Sequence, residues 1–158
     1  MRARNARLPT AMSDPHNLGR FVTAQDADGT YERALVELRG GHKTGHWMWF
    51  VFPQVAGLGQ SEMSRKYAIS SREEAAAYMR HPVLGPRLIE CARILDTIRA
   101  RSAEQILGRV DAKKLHSSMT LFLRAAPQEP VFARVLDRYF AGIPDRATDQ
   151  RLRAGSAT

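Results

Sequence analysis

Hydrophobic positions along most of the chain recur in steps of three and four, the spacing that stacks side chains on one face of a helix. Leu84, Leu88, Cys91, Leu95 and Ile98 form the longest stripe and predict a helix over roughly residues 84–100. Phe132, Val135, Leu136, Tyr139 and Phe140 fall at i, i+3, i+4, i+7 and i+8 and predict another, closed by Gly142 and Pro144. Leu115, Ser118, Met119 and Phe122 share a face of a third, which Asp111 is expected to cap. Shorter stripes run through Leu18, Phe21, Val22 and Gln25 behind Asp14-Pro15, and through Tyr31, Ala34, Leu35 and Leu38 between a Thr30 cap and a Gly40-Gly41 stop. Ser61 heads a short helix with Met63 and Tyr67, while Ser70–Glu74 and Ser102–Gln105 carry capping-box patterns, in which a serine and an acid or amide three residues on satisfy each other's amides. Asp145 is expected to cap a final short turn. These elements predict an all-α fold of eight to ten mostly short helices in one domain over residues 14–152, with a disordered tail at 1–13 and a second tail at 153–158.

One stretch breaks the amphipathic pattern. From Trp47 to Phe52 every residue is apolar, and both tryptophans and two of the six phenylalanines of the chain fall there. Such a run must be buried on all sides, as a short helix or as a strand. A strand needs a partner for its backbone groups, and no comparable second strand is present, so helix is favoured. Lys43, His46 and Gln54 stand at the rims of this apolar wall.

Composition narrows the setting. Hydrophobic residues at 44% and charged residues at 25% are ordinary for a globular domain of 158 residues. A single cysteine excludes a disulfide framework and a cysteine-rich zinc site. No apolar run reaches membrane-spanning length and no hydrophobic leader follows the basic start, so a cytoplasmic address and no membrane partner are expected. The net charge of +8 is concentrated at the ends, where Arg2, Arg4 and Arg7 and then Arg146, Arg151 and Arg153 lie. That distribution predicts no specific nucleic-acid recognition, only weak association through the tails.

His42 and His46 have the four-residue spacing of a helical metal pair, but Gly45 intervenes and no third ligand follows, so no metal is expected. Cys91 sits in the 84–98 stripe, where a small buried hydrophobe fits better than a reactive thiol. Lys114 and Ser118 are one turn apart, as in serine–lysine nucleophile pairs, yet any helix offers that spacing, and small hydroxyl residues there also allow close packing against a neighbour; hydrogen bonding of a ligand by Ser117 or Ser118 ranks above catalysis. Arg65 can grip a carboxylate or phosphate through two parallel hydrogen bonds, or simply face solvent. Trp47 and Trp49 are core residues, or one of them lines a cavity whose rim carries His46, Gln54 and Arg65.

Four segments together resemble a bacterial family catalogued as domain of unknown function 1810, some members of which carry a calpastatin label. They are Leu18-Gly19-Arg20-Phe21 through Ala24-Gln25; His46 to Gln54 with Ala56-Gly57-Leu58-Gly59; Met63 to Ile69 with His81-Pro82-Val83-Leu84-Gly85-Pro86-Arg87-Leu88; and Lys114 to Phe122. The resemblance covers about residues 14–152 and implies a compact all-helical domain, with no established reaction, cofactor or catalytic residue. The functional expectation is a small anionic, nucleotide-like ligand held by His46, Trp47, Trp49, Gln54, Arg65, Lys114, Ser117 and Ser118, with cofactor and catalysis undefined. Two alternatives stand beside it: an interaction module with an exposed aromatic groove and an unknown protein partner, and weak nucleic-acid association through the basic tails.

Overall fold

Serine caps and glycine stops cut the chain where its apolar stripes end, and helices form between them. The computed structural model describes residues 13–156. In it α1 spans Gly19–Asp26, α2 Thr30–Arg39, α3 Met48–Val51, α4 Glu62–Lys66, α5 Arg72–Arg80, α6 Leu84–Thr97, α7 Ala103–Leu107, α8 Arg109–Ala125, α9 Val131–Phe140 and α10 Arg146–Ser156. No strand occurs among the described residues; one isolated parallel bridge joins Val55 to Ile69. The all-α single domain follows from the periodicity. The tail expected at 1–13 lies outside the described residues except for Ser13.

α8 is the axis. α5, α7, α9 and α10 pack on it, and α6 in turn packs on α5 and α9 and carries α2. Leu115, Met119 and Phe122 face the core from α8, and Ser117, Ser118 and Thr120 are buried with them. Aromatic rings then run through the interior in contact, from Phe50 to Tyr67, Phe21, Tyr78, Phe122 and Phe132, with centroids 5.1–6.0 Å apart. Each such buried ring stabilises the fold by about 2–3 kcal/mol through burial alone.

Several caps form as the pattern predicts. Ser61 accepts from the Ser64 amide, and Ser102 with Gln105 closes a full capping box. Asp14 accepts from the amides of Leu18 and Gly19, but α1 begins at Gly19 with Leu18 in the cap position, so Asp14-Pro15 forms a turn ahead of the helix and not its cap. Ser71 accepts from the Glu74 amide, but the Glu74 carboxylate reaches Ser70 instead, at its amide and hydroxyl. Asp145 receives the Thr148 amide and hydroxyl, and the helix it opens is no short turn but runs 11 residues, seated by buried Leu152. Two further expectations are corrected. Thr30 is the first helical residue, behind Gly29 in the left-handed region, not a cap. Asp111 does not cap α8, which begins at Arg109 behind Gly108; its carboxylate is drawn instead to Lys43 and Lys114.

The aromatic stretch is helical for one turn only. Beyond Phe52 the chain extends, and its Gln54 carbonyl and Ala56 amide pair with the Ile69 amide and carbonyl at 2.8 Å. Within the run itself the helical turn satisfies the amides of Val51 and Phe52, and Gln25 takes the Phe50 carbonyl.

Candidate functional site

The tryptophan stretch is held from three sides. Gln25, fully buried, donates to the Phe50 carbonyl at 2.8 Å and accepts from Arg87 at 3.1 Å. Arg20 donates to the carbonyls of Lys66 and Ala68 and pairs with Glu74, only 3% exposed, at 3.1 Å, tying α1 to the loop that bridges back to Val55. Glu37 on α2 holds the other end: its Oε1 accepts from the amides of Thr44 and Gly45 and from the Trp47 indole N–H, each at 2.9 Å. Burial raises the pKa of this carboxyl, but the amides of Gly45 and Thr44 and the indole N–H outweigh it and hold the group below its usual range.

Between the two indoles lies a shared ion cluster. Lys43 Nζ is 5.0 Å from the Trp47 ring centre and 2.7 Å from Asp111, with its side chain 8% exposed. Lys114 Nζ is 4.8 Å from the Trp49 ring centre and 3.6 Å from the same carboxylate. Asp111 is therefore shared by two cations, each resting on a tryptophan, and joins the tryptophan stretch to α8. A cation over an indole face is attracted by the ring's quadrupole. Removing the carboxylate would leave Lys43 buried without its counter-ion, a change of about 3–5 kcal/mol for a broken buried pair.

Trp47 is buried in the core, whereas Trp49 is only partly buried. Trp49 lines a cleft of about 290 Å³ with Gln54, Arg65, Tyr67 and the Gly57–Gly59 loop. Ligand pockets run roughly 300–1,000 Å³, so this cleft suits a small molecule or one part of a larger one. Arg65 is exposed, and its Nη1 is hydrogen-bonded to the Gln60 carbonyl, its other guanidinium donors having no partner among the described residues. Gly59 is required by close packing, since a Cβ there would lie 2.4 Å from Ser64 Oγ.

Trp49, Gln54 and Arg65 thus meet at one cleft, with Lys114 on the Trp49 ring. The other candidates lie elsewhere. His46 is exposed and does not line the cleft. Ser117 donates to the Lys113 carbonyl and to Asp145, at the junction of α8 and α10. Ser118 is fully buried, and its Oγ has no hydrogen-bond partner among the described residues. Lys114 turns to Asp111 and Trp49, so the serine–lysine pair is not assembled. Cys91 is a core residue whose thiol is pushed up to about 12 by burial. Among the described residues no group of three His, Cys, Asp or Glu side chains is placed to hold a metal ion, and no helix is long and apolar enough to cross a membrane.

Pattern reading missed Glu37 and the role of Asp111. Glu37 lies off the apolar stripe of α2 and looks like any solvated acid. Asp111 carried a usable signal, its three-residue spacing from Lys114, which a cap assignment obscured.

Fold and site define a class: an all-helical domain with a small polar-rimmed cleft walled by one half-buried indole. The chain belongs to the family described as protein of unknown function (DUF1810), whose model matches residues 15–152. It is also similar to a crystal structure of the conserved hypothetical protein Rv1873 from Mycobacterium tuberculosis, with 49% identity and a TM-score of 0.86 over 89% of this chain and 99% of that one. No curated protein matches the chain.

Proposed function

We propose that the domain binds a small anionic ligand carrying a flat ring, nucleotide-like in character, in the cleft beside Trp49. The observation that carries this reading is the convergence of Trp49, Gln54 and Arg65 on one cleft. An indole wall stacks on a flat ring, a primary amide both donates to and accepts from a ring edge, and a guanidinium binds an anion. Lys114, pinned by Asp111, fixes the Trp49 ring and adds positive potential beside it. His46, Ser117 and Ser118 have no part in this reading, and no reaction is assigned. The interaction-module alternative is favoured by no specific observation, since the large hydrophobic residues exposed among those described are the aliphatic Val36, Val110 and Ile143.

A thermal-shift panel of nucleotides, sugar phosphates and dicarboxylates tests the proposal. A ligand present at a hundred times its dissociation constant adds about 2.7 kcal/mol to stability. The expected result is a shift with a nucleotide that Trp49→Ala and Arg65→Gln each abolish. A shift that survives both substitutions would move the site away from this cleft.

A further inference from the structure

A second cleft, of about 400 Å³, adjoins the first. Val55 lines both, and Ser70, Ser71, Arg72, Glu73 and Arg151 are among the others that line the second. Gly57, in the wall of the first cleft, is where they meet: Arg151 donates from Nη2 to the Gly57 carbonyl at 3.1 Å and lies directly on its backbone. A Cβ at Gly57 would be 2.5 Å from the Arg151 guanidinium carbon, and the backbone there has φ +96°, so only glycine permits this approach.

The guanidinium groups of the second cleft close no ion pair among the described residues, although Arg72 lies near enough to Asp149 to help hold that carboxyl below its usual range. Arg72 has no ion pair or hydrogen bond among the described residues, and Arg151 uses one of its five N–H donors on Gly57. The nearby acid on α10, Asp149, is committed to Arg124 through two hydrogen bonds of 2.9 Å. Glu73 supplies the one carboxylate of the lining, against two guanidinium groups. Ser71 already takes the Glu74 amide of α5, and Glu74 takes the Ser70 amide and hydroxyl before it, so the groups offered to an anion here are the arginines and the Ser71 hydroxyl.

We infer that this second cleft takes the phosphoryl end of the ligand whose ring lies on Trp49, with Arg72 and Arg151 on the phosphate oxygens. The ligand class is then a free nucleoside phosphate spanning the Gly57 ridge. Planar guanidinium forks match phosphate oxygens in pairs, and an aromatic wall on one side with a phosphate grip on the other separates base recognition from charge recognition. The inference rests on the Trp49 reading for the ring and on its own geometry for the phosphate.

Calorimetric titration of the full chain carrying Arg65→Gln with inorganic pyrophosphate isolates the second cleft, because that probe has no ring and the guanidinium of the first cleft is gone. Pyrophosphate is expected to bind, with affinity reduced at least about tenfold by Arg72→Gln and by Arg151→Gln and unaffected by Trp49→Ala. Arg72→Gln removes no hydrogen bond or ion pair among the described residues, only an electrostatic attraction to Asp149, and a thermal melt of the variant separates any effect on folding from the effect on binding. Paired titrations with the nucleosides and nucleoside 5′-diphosphates of the four common bases then test the span. At least one diphosphate is expected to bind about tenfold or more tighter than both its nucleoside and pyrophosphate. Absence of pyrophosphate binding, or binding indifferent to Arg72→Gln, overturns the phosphate cleft, while nucleoside binding lost in Trp49→Ala would still uphold the Trp49 reading. Pyrophosphate binding that depends on Arg72, with no added affinity from any nucleoside, overturns the spanning ligand and the Trp49 reading together.

Discussion

Glu37 carries the loop between α2 and the tryptophan stretch on a single carboxylate oxygen. Two backbone amides and an indole N–H converge on it, and hydrogen bonds to a charged acceptor stabilise by about 1.5–3 kcal/mol each. Glu37→Gln keeps an acceptor and loses the charge, so a loss of about 1–2 kcal/mol at neutral pH is expected in urea denaturation. The sign with pH follows from the depressed pKa of the carboxyl. Its contribution is fully present above the unfolded carboxylate value, about 4.3, and disappears as pH falls through the lower folded value. The stability gap between wild type and Glu37→Gln should therefore close on acidification through that window. A gap that stays constant with pH would show that the charge of Glu37 does not hold the loop. Nothing in the spacing around Glu37 announces this role, because its three donors come from a loop whose path is set by tertiary packing. Trp47 and Trp49, by contrast, were legible as special from density alone, though which of them is core and which lines a cleft depends on the one-turn length of α3.

Among the elements, the pair α5–α6 is set by backbone contact. Gly85, in the first turn of α6, sits where an added Cβ would be 2.1 Å from the Met79 carbonyl oxygen of α5. Unlike a side-chain tip, that oxygen cannot move aside, so Gly85→Ala should cost at least about 3 kcal/mol. In a domain of this size that lowers Tm by at least about 6 °C, measurable by calorimetry. A change below about 2 °C would mean that α6 can slide away from α5 without loss. Stripes and caps made α6 and α9 readable because their signals are local: Leu88, Leu95 and Val135 lie on the side that periodicity assigns them to, and all are buried. The two-bond bridge between Val55 and Ile69 was not readable, since it joins segments separated by α4 and has no repeating pattern. Nor was the extent of α10, whose single buried leucine and Asp149–Arg124 pair anchor a sequence of otherwise weak periodicity.

At the scale of the molecule, α8 is what turns separate motifs into a site. It delivers Asp111 and Lys114 to the two tryptophans from about seventy residues away in sequence, a convergence of the kind that no spacing rule supplies. Arg20, Gln25 and Arg87, prominent in the segments that mark the family, act as braces: they fix the backbone around Phe50 and the bridge and line neither cleft. The basic character of the C-terminal segment acquires a location as well, because Arg151 faces the second cleft from an ordered helix and is no part of a loose tail.

The central claim, that Trp49 walls a ligand cleft while Trp47 is core, is tested most directly by intrinsic fluorescence. Titrating nucleoside 5′-diphosphates of the four common bases into wild type and Trp49→Phe separates the two indoles, since the variant keeps only Trp47. A saturable change in wild type that is absent from Trp49→Phe is the predicted result. An equal change in both proteins, or none with any base, would contradict the cleft beside Trp49 as the binding site.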